Sequence, residues 1–135
     1  MSTFEAQVRA QPEEISEITE RVGEVLQASS VDARASHHVA MILEELLTNL
    51  GTHGGVVDEP ATVRVSVEPS HVRVEVLDRG PPFDPRSAPE PELNVSLEER
   101  KIGGLGLFLM RKLASDLYYA RSDGRNCTAF SVRRG

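Results

Sequence analysis

Apolar residues follow a helical period in three stretches of the chain and alternate in five others. That pattern predicts the elements. Residues 4–9 alternate as a short strand. Pro12, Glu13 and Glu14 then open a helix, since proline suits the first turn and acidic side chains suit its positive end. Ile15, Ile18, Val22, Val25 and Leu26 form its apolar stripe until Ser29 and Ser30 break it. Asp32 has the character of an N-cap for a second helix. Ala35, Val39, Ile42, Leu43, Leu46 and Leu50 form the inward stripe of this helix, and Gly51, Gly54 and Gly55 end it. Residues 62–67 and 72–77 read as period-2 strands, with Pro69, Ser70 and His71 as the turn between them. Valines occupy one face of each, and Arg, Ser or Glu the other, so one side of the sheet faces water.

From Pro81 to Pro91 there are five prolines and few apolar residues, which predicts a loop. It continues to about Lys101, with a short helical turn at 96–99. A connection this long reads as a lid rooted on Phe83, itself expected in the core, and hinged at Gly103 and Gly104. A third helix is expected at 104–117, with Leu105, Phe108, Leu109, Leu113 and Leu117 inward. Strands at 118–121 and 127–132 close the chain around an Asp123-Gly124 turn. The expected fold is α+β, one domain over 1–135. It is a two-layer sandwich with a mostly antiparallel mixed sheet and three helices on one face.

Composition narrows the function classes. Of the residues, 39% are hydrophobic and 27% charged, and the formal net charge is −6. An acidic chain is a poor partner for nucleic acid, which demands a basic surface. No apolar run approaches the ~18 residues of a membrane span, and the first residues have no secretory character, so a cytoplasmic protein is expected. Cys127 is the only cysteine, which excludes an internal disulfide. It is expected as a small buried strand residue. His37, His38 and His71 fall outside any motif. Arg133 and Arg134 are expected as a solvated end.

Candidate chemistry gathers at three places. Glu45 and Asn49 lie one helical turn apart and share a face. At ~100° per residue both fall on the flank of the apolar stripe, whereas Glu44 falls nearly opposite it, in solvent. A glutamate can take a hydroxyl proton, and an asparagine oxygen can hold a hard cation such as Mg²⁺. Downstream come a turn, Asp78-Arg79-Gly80-Pro81-Pro82-Phe83-Asp84, and a glycine-rich run, Gly103-Gly104-Leu105-Gly106-Leu107. Such a run opening a helix offers backbone N–H groups to phosphate. Each piece alone is commonplace: Glu and Asn populate helix flanks, and Asp-x-Gly is ordinary turn chemistry. Their order and placement together read as a Mg-nucleotide site.

With those motifs in view, the chain resembles the ATP-binding fold shared by DNA gyrase, histidine kinases and MutL, the GHKL superfamily. Within it, the chain is most similar to the bacterial anti-sigma factor serine kinases. Glu45-Leu46-Leu47-Thr48-Asn49 with His53-Gly54 matches that family's N box. Asp78 to Pro85 matches its first glycine box, and Ile102 to Leu107 the second. Two departures stand out: Pro82 replaces a glycine of the first box, and Cys127 replaces the glycine before Thr128.

The resemblance implies ATP and Mg²⁺ as cofactors and assigns roles by position. Glu45 would be the general base toward a substrate serine. Asn49 would coordinate Mg²⁺. Asp78 would accept from the adenine amine, Gly80 would let the backbone approach the base, and Thr128 would lie beside them. Arg100 and Lys101 would neutralise phosphate, while Gly103, Gly104, Leu105, Gly106 and Leu107 would wrap it. The implied partners are a sigma factor and its STAS-type antagonist in a partner switch, docking on the exposed face of the first two helices and a sheet edge. A homodimer is implied as well. Neither nucleic acid nor membrane is an expected partner. A second reading keeps the fold without the chemistry, as a nucleotide-binding switch module. A third takes the chain as a detached histidine-kinase ATPase domain, and the lack of histidine-bearing dimerisation helices speaks against it.

Overall fold

The computed structural model describes residues 2–52, 59–87 and 110–135. Its elements are β1 (Ser2–Val8), α1 (Pro12–Ala28), α2 (Ala33–Thr52), β2 (Ala61–Val67), β3 (His71–Asp78), a 3-10 turn (Pro85–Ser87), β4 (Asp116–Ser122) and β5 (Arg125–Arg133). The five strands form one sheet in the order β1-β2-β3-β5-β4. Every neighbouring pair is antiparallel, so the expected mixed sheet is wholly antiparallel among the described residues. This is the α+β fold expected, with α1 and α2 packed on one face. The inward valines of β2 and β3 join the α1 and α2 stripes in one core.

The local signals explain most boundaries. Pro12 opens α1 behind Gln11, with Glu13 and Glu14 in its first turn. Glu14 reaches back to accept from the Arg9 N–H at 3.0 Å. The helix ends in a Schellman arrangement. Val31 N–H bonds Leu26 O at 3.0 Å, and Ser30 N–H bonds Gln27 O at 3.0 Å. That geometry puts Ser30 at φ 61°, a left-handed conformation normally taken by glycine. Asp32 then caps α2, its Oδ2 accepting from Ala35 N–H at 3.2 Å. The backbone N–H groups of Gly135 and Ala35 hold its carboxyl below the ordinary aspartate range. Asp123 (φ 54°) and Gly124 (φ 73°) form the hairpin turn between β4 and β5.

Three further expectations change. The third helix ends earlier than 117: residues 110–113 are helical, and β4 begins at Asp116. Pairing of Asp116 with Ser131 and Leu117 with Phe130 draws these residues into the sheet. Leu113 and Leu117 both still pack on the core, one from a helix end and one from a strand, so their spacing imitated a continuous stripe. Cys127 is only half-buried, on the sheet face away from the helices, with Sγ 3.9 Å from Glu75 Oε2. Burial and the neighbouring Glu75 push its thiol pKa up. Arg134 is tied down rather than solvated, donating to Glu68 O at 2.8 Å and Ser29 O at 3.3 Å. His53, Gly54, Gly55, the 88–101 stretch with its turn at 96–99, and the start of the third helix lie outside the described residues. Among the described residues, no helix is long and apolar enough to cross a membrane.

The left-handed Ser30 generates a stability prediction. Ser30→Gly removes the Cβ penalty while keeping the backbone bonds. It should raise unfolding free energy by about 0.5–1 kcal/mol, after allowance for the freer unfolded chain. Urea denaturation at constant m-value checks this, and an unchanged or lower midpoint would contradict it.

Candidate functional site

The site is built where α2 crosses the end of β3. Helix packing needs one apolar stripe, and Leu43 and Leu47 fill it with no exposure. Rotation by one residue then decides the neighbouring side chains. Glu44 is exposed, Glu45 is half-buried, and Asn49 is buried. Glu45 Oε1 is shielded from solvent. The Asn49 Nδ2 donates to Glu45 O at 2.7 Å. That bond fixes the amide plane and leaves Oδ1 as its acceptor for anything entering the pocket.

Asp78 is the last residue of β3 and only 5% exposed. Its Oδ1 accepts from Gly80 N–H at 2.8 Å and from Asn126 Nδ2 at 3.0 Å. The first bond is an Asx turn, which bends the chain sharply after the strand. The turn carries Pro81 and Pro82 out to solvent and then returns at Pro85, which is buried. Phe83 is 41% exposed, so Pro85 rather than Phe83 anchors this segment. Asp84 caps the 3-10 turn by accepting from Arg86 N–H at 2.9 Å. It also holds the Arg86 guanidinium in a forked pair, which keeps the Asp84 carboxyl below its ordinary range.

The sheet register completes the pocket. Val76 stands opposite Thr128 and Asp78 opposite Asn126. One hollow is therefore lined by Leu46, Asn49 and Leu50 from α2, by Val76 and Asp78 from β3, by Gly80 and Pro81 from the turn, and by Asn126 and Thr128 from β5. Apolar walls around a few convergent polar groups are the usual make-up of a small-molecule pocket. A second, larger groove of about 600 Å³ runs between α1 and α2 past Ile15, Thr19, Glu20, Glu44 and Thr48. Glu44 thus belongs to a different hollow from Asn49. Among the described residues, the larger groove has no buried polar groups converging on one point, so the smaller pocket is the better site for chemistry.

Of the residues singled out from the sequence, Asn49, Asp78, Gly80 and Thr128 come together here. Glu45 sits one turn before Asn49 on α2. Arg100, Lys101, Gly103, Gly104, Leu105, Gly106 and Leu107 lie outside the described residues. Sequence reasoning missed Asn126 and its neighbours Tyr119 and Arg121. The one available signal was a polar residue in phase with Thr128 and Phe130 on the inward face of a strand. Among the described residues, no group of three or more His, Cys, Asp or Glu side chains could hold a metal ion alone. A cation here would have to share Asn49 Oδ1 with ligand oxygens.

Residues 8–132 match the family model of the histidine kinase-like ATPase domain. The chain belongs to that family. It is 32% identical over 96 residues to the serine/threonine-protein kinase BtrW of Bordetella bronchiseptica, covering 70% of this chain and 68% of the relative. Among solved structures, it resembles the RsbU and RsbW domains of a Mycobacterium tuberculosis protein with a TM-score of 0.69 at 16% identity. All of this chain is covered there, but it spans only 34% of that longer chain. The SiaB-SiaC complex from Pseudomonas aeruginosa gives a TM-score of 0.60 at 15% identity, covering 98% of this chain and 89% of the other. These two likenesses carry the fold, and the family match and BtrW carry the kinship.

The Asp78 geometry makes a prediction that needs no ligand. Asp78→Ala removes the acceptor of the buried Gly80 N–H and one of the three acceptors around Asn126 Nδ2, and should cost about 1–3 kcal/mol. Asp78→Asn keeps an oxygen at the Oδ1 position and should cost clearly less. Chemical denaturation of both variants checks this, and equal losses would contradict the assigned role of Oδ1.

Proposed function

We propose that the protein is an ATP-dependent protein serine kinase acting in a partner switch, binding a sigma factor and phosphorylating its antagonist. The observation that carries this reading is the meeting of Asn49, Asp78 and Thr128 in one pocket whose walls are apolar. Among the described residues, both bonds to the Asp78 side chain fall on Oδ1. Oδ2 is thereby the oxygen for a ligand's N–H, which suits the exocyclic amine of adenine. Guanine presents a carbonyl there and would set oxygen against a buried carboxylate. Val76, Leu46 and Leu50 supply the apolar surface for a base. The kinship with BtrW supports a protein kinase over other uses of the fold.

Mg²⁺ fits the donor set: Asn49 Oδ1 would hold it, and the ion would neutralise charge on the nucleotide phosphates. The remaining work falls to Glu45. Its half-buried carboxylate, one turn from Asn49, would accept the proton of a substrate serine. The serine oxygen forms its bond to the γ-phosphorus as the bond to the β–γ bridging oxygen breaks, and ADP leaves. Such transfer depends on positioning and charge more than on covalent intermediates. The antagonist is a STAS-type protein in this reading, and the cytoplasm is where the switch would operate.

Nucleotide choice is the first test. Calorimetry with Mg²⁺ should show ATP and ADP binding, with GTP at least about tenfold weaker. Equal affinities for ATP and GTP would remove the assignment of Asp78.

Phosphoryl transfer is the second. With radiolabelled ATP and candidate antagonist proteins, Glu45→Gln should cut transfer by about 10²-fold or more while sparing ATP affinity. Glu44→Gln, in the other hollow, should change little. Similar behaviour of the two variants would sink the helix-face argument. Binding without transfer by the unaltered protein would leave the non-catalytic switch module.

A further inference from the structure

Asp78, Asn126 and Arg121 lie in one row across β3, β5 and β4, each directly opposite the next. Asn126 is only 2% exposed, and its amide is engaged on both ends. Nδ2 lies 3.0 Å from Asp78 Oδ1, 2.9 Å from Pro81 O and 3.3 Å from Gly80 O. Oδ1 accepts from Tyr119 OH and from Arg121 at 3.0 Å. The same Arg121 nitrogen donates to Gly80 O at 2.9 Å. The amide has one possible orientation here. Guanidinium only donates and carbonyls only accept, so a flipped amide would oppose like groups on both sides.

We propose that Asn126 is a positioning residue that sets base discrimination in the pocket. It saturates Asp78 Oδ1 and pins the Gly80 and Pro81 carbonyls, so the carboxylate can present only Oδ2 to the base. A carboxylate free to rotate could turn away from a base that lacks the amine, and a backbone free to shift could offer Gly80 N–H to a carbonyl instead. The row removes both escapes, and with them the adaptability that would let other purines bind. Pro82 leaves the turn without the conformational freedom of a second glycine, and the side-chain row fixes the same turn from the sheet side. This inference rests on the nucleotide reading above and adds the residue that enforces its selectivity.

The test compares ATP with inosine triphosphate, which carries a carbonyl in place of the exocyclic amine, by calorimetry with Mg²⁺ on the full chain. Asn126→Ala should weaken ATP about tenfold and change inosine triphosphate by less than about twofold, so the preference collapses. Tyr119→Phe removes one donor to Asn126 Oδ1 with little threat to folding, and should lower the preference by about threefold. A residue that merely held the fold would reduce both affinities together. Equal losses, or an unchanged preference in Tyr119→Phe and in Asn126→Ala, would overturn the role of Asn126. If the unaltered protein prefers ATP and both variants keep that preference, only this inference falls. If the unaltered protein binds neither nucleotide, the pocket assignment falls with it.

Discussion

Antiparallel pairing of β3 with β5 is the constraint on which the core and the pocket both depend. Val72, Val74 and Val76 stand opposite Val132, Phe130 and Thr128, all on the helix side. A slip by one residue would turn the buried valines of β3 to water and bring Arg73 and Glu75 beneath α2. The hydrophobic demand therefore fixes the register, and the register sets Asp78 against Asn126 at the strand end. The polar row is a by-product of packing in its position and a product of side-chain chemistry in its bonds. Burial holds it together, because each of its groups would be costly to leave unmatched.

Helix α2 extends the same logic to the second wall. Its stripe of Leu43 and Leu47 must face the sheet, and successive residues then fan out by ~100°. Asn49 lands in the pocket at the strand ends, Glu44 and Thr48 in the groove beside α1, and Glu45 is half-buried one turn before Asn49. Glu44 and Asn49 thus line two different hollows with no further instruction than the helical period. The Asn49 amide adds orientation by bonding back to the Glu45 carbonyl, which couples the two motif residues through the backbone as well as through their shared face.

Much of this was legible from the chain because it follows from local periodicity. The alternating valines of 62–67 and 72–77 gave their strands to within a residue at each end. Asp32 was legible as a cap, and Glu44 as the solvent-side member of its pair. What escaped depends on contacts remote in sequence. The third helix stops short of Leu117 because β5 offers Asp116 and Leu117 a ladder. Cys127 faces outward because the β3 register puts it beside Leu77. Arg134 looked solvated because its partners, Ser29 and Glu68, are distant along the chain. Asn126 was invisible as part of the site for the same reason, since only the register reveals that it faces Asp78.

The position of that row also bears on how the molecule assembles. The β2–β3 and β4–β5 hairpins close over short turns, at little loop-closure cost. Joining them through β3 and β5 brings together residues 48 apart, as in the bond between Asp78 and Asn126. Non-local pairings of this kind are the slow steps of sheet formation. The β3 and β5 walls of the pocket therefore meet only through this long-range pairing. A molecule held between Asp78, Thr128 and α2 would brace that non-local seam, so occupancy of the pocket and persistence of the sheet are linked by mass action.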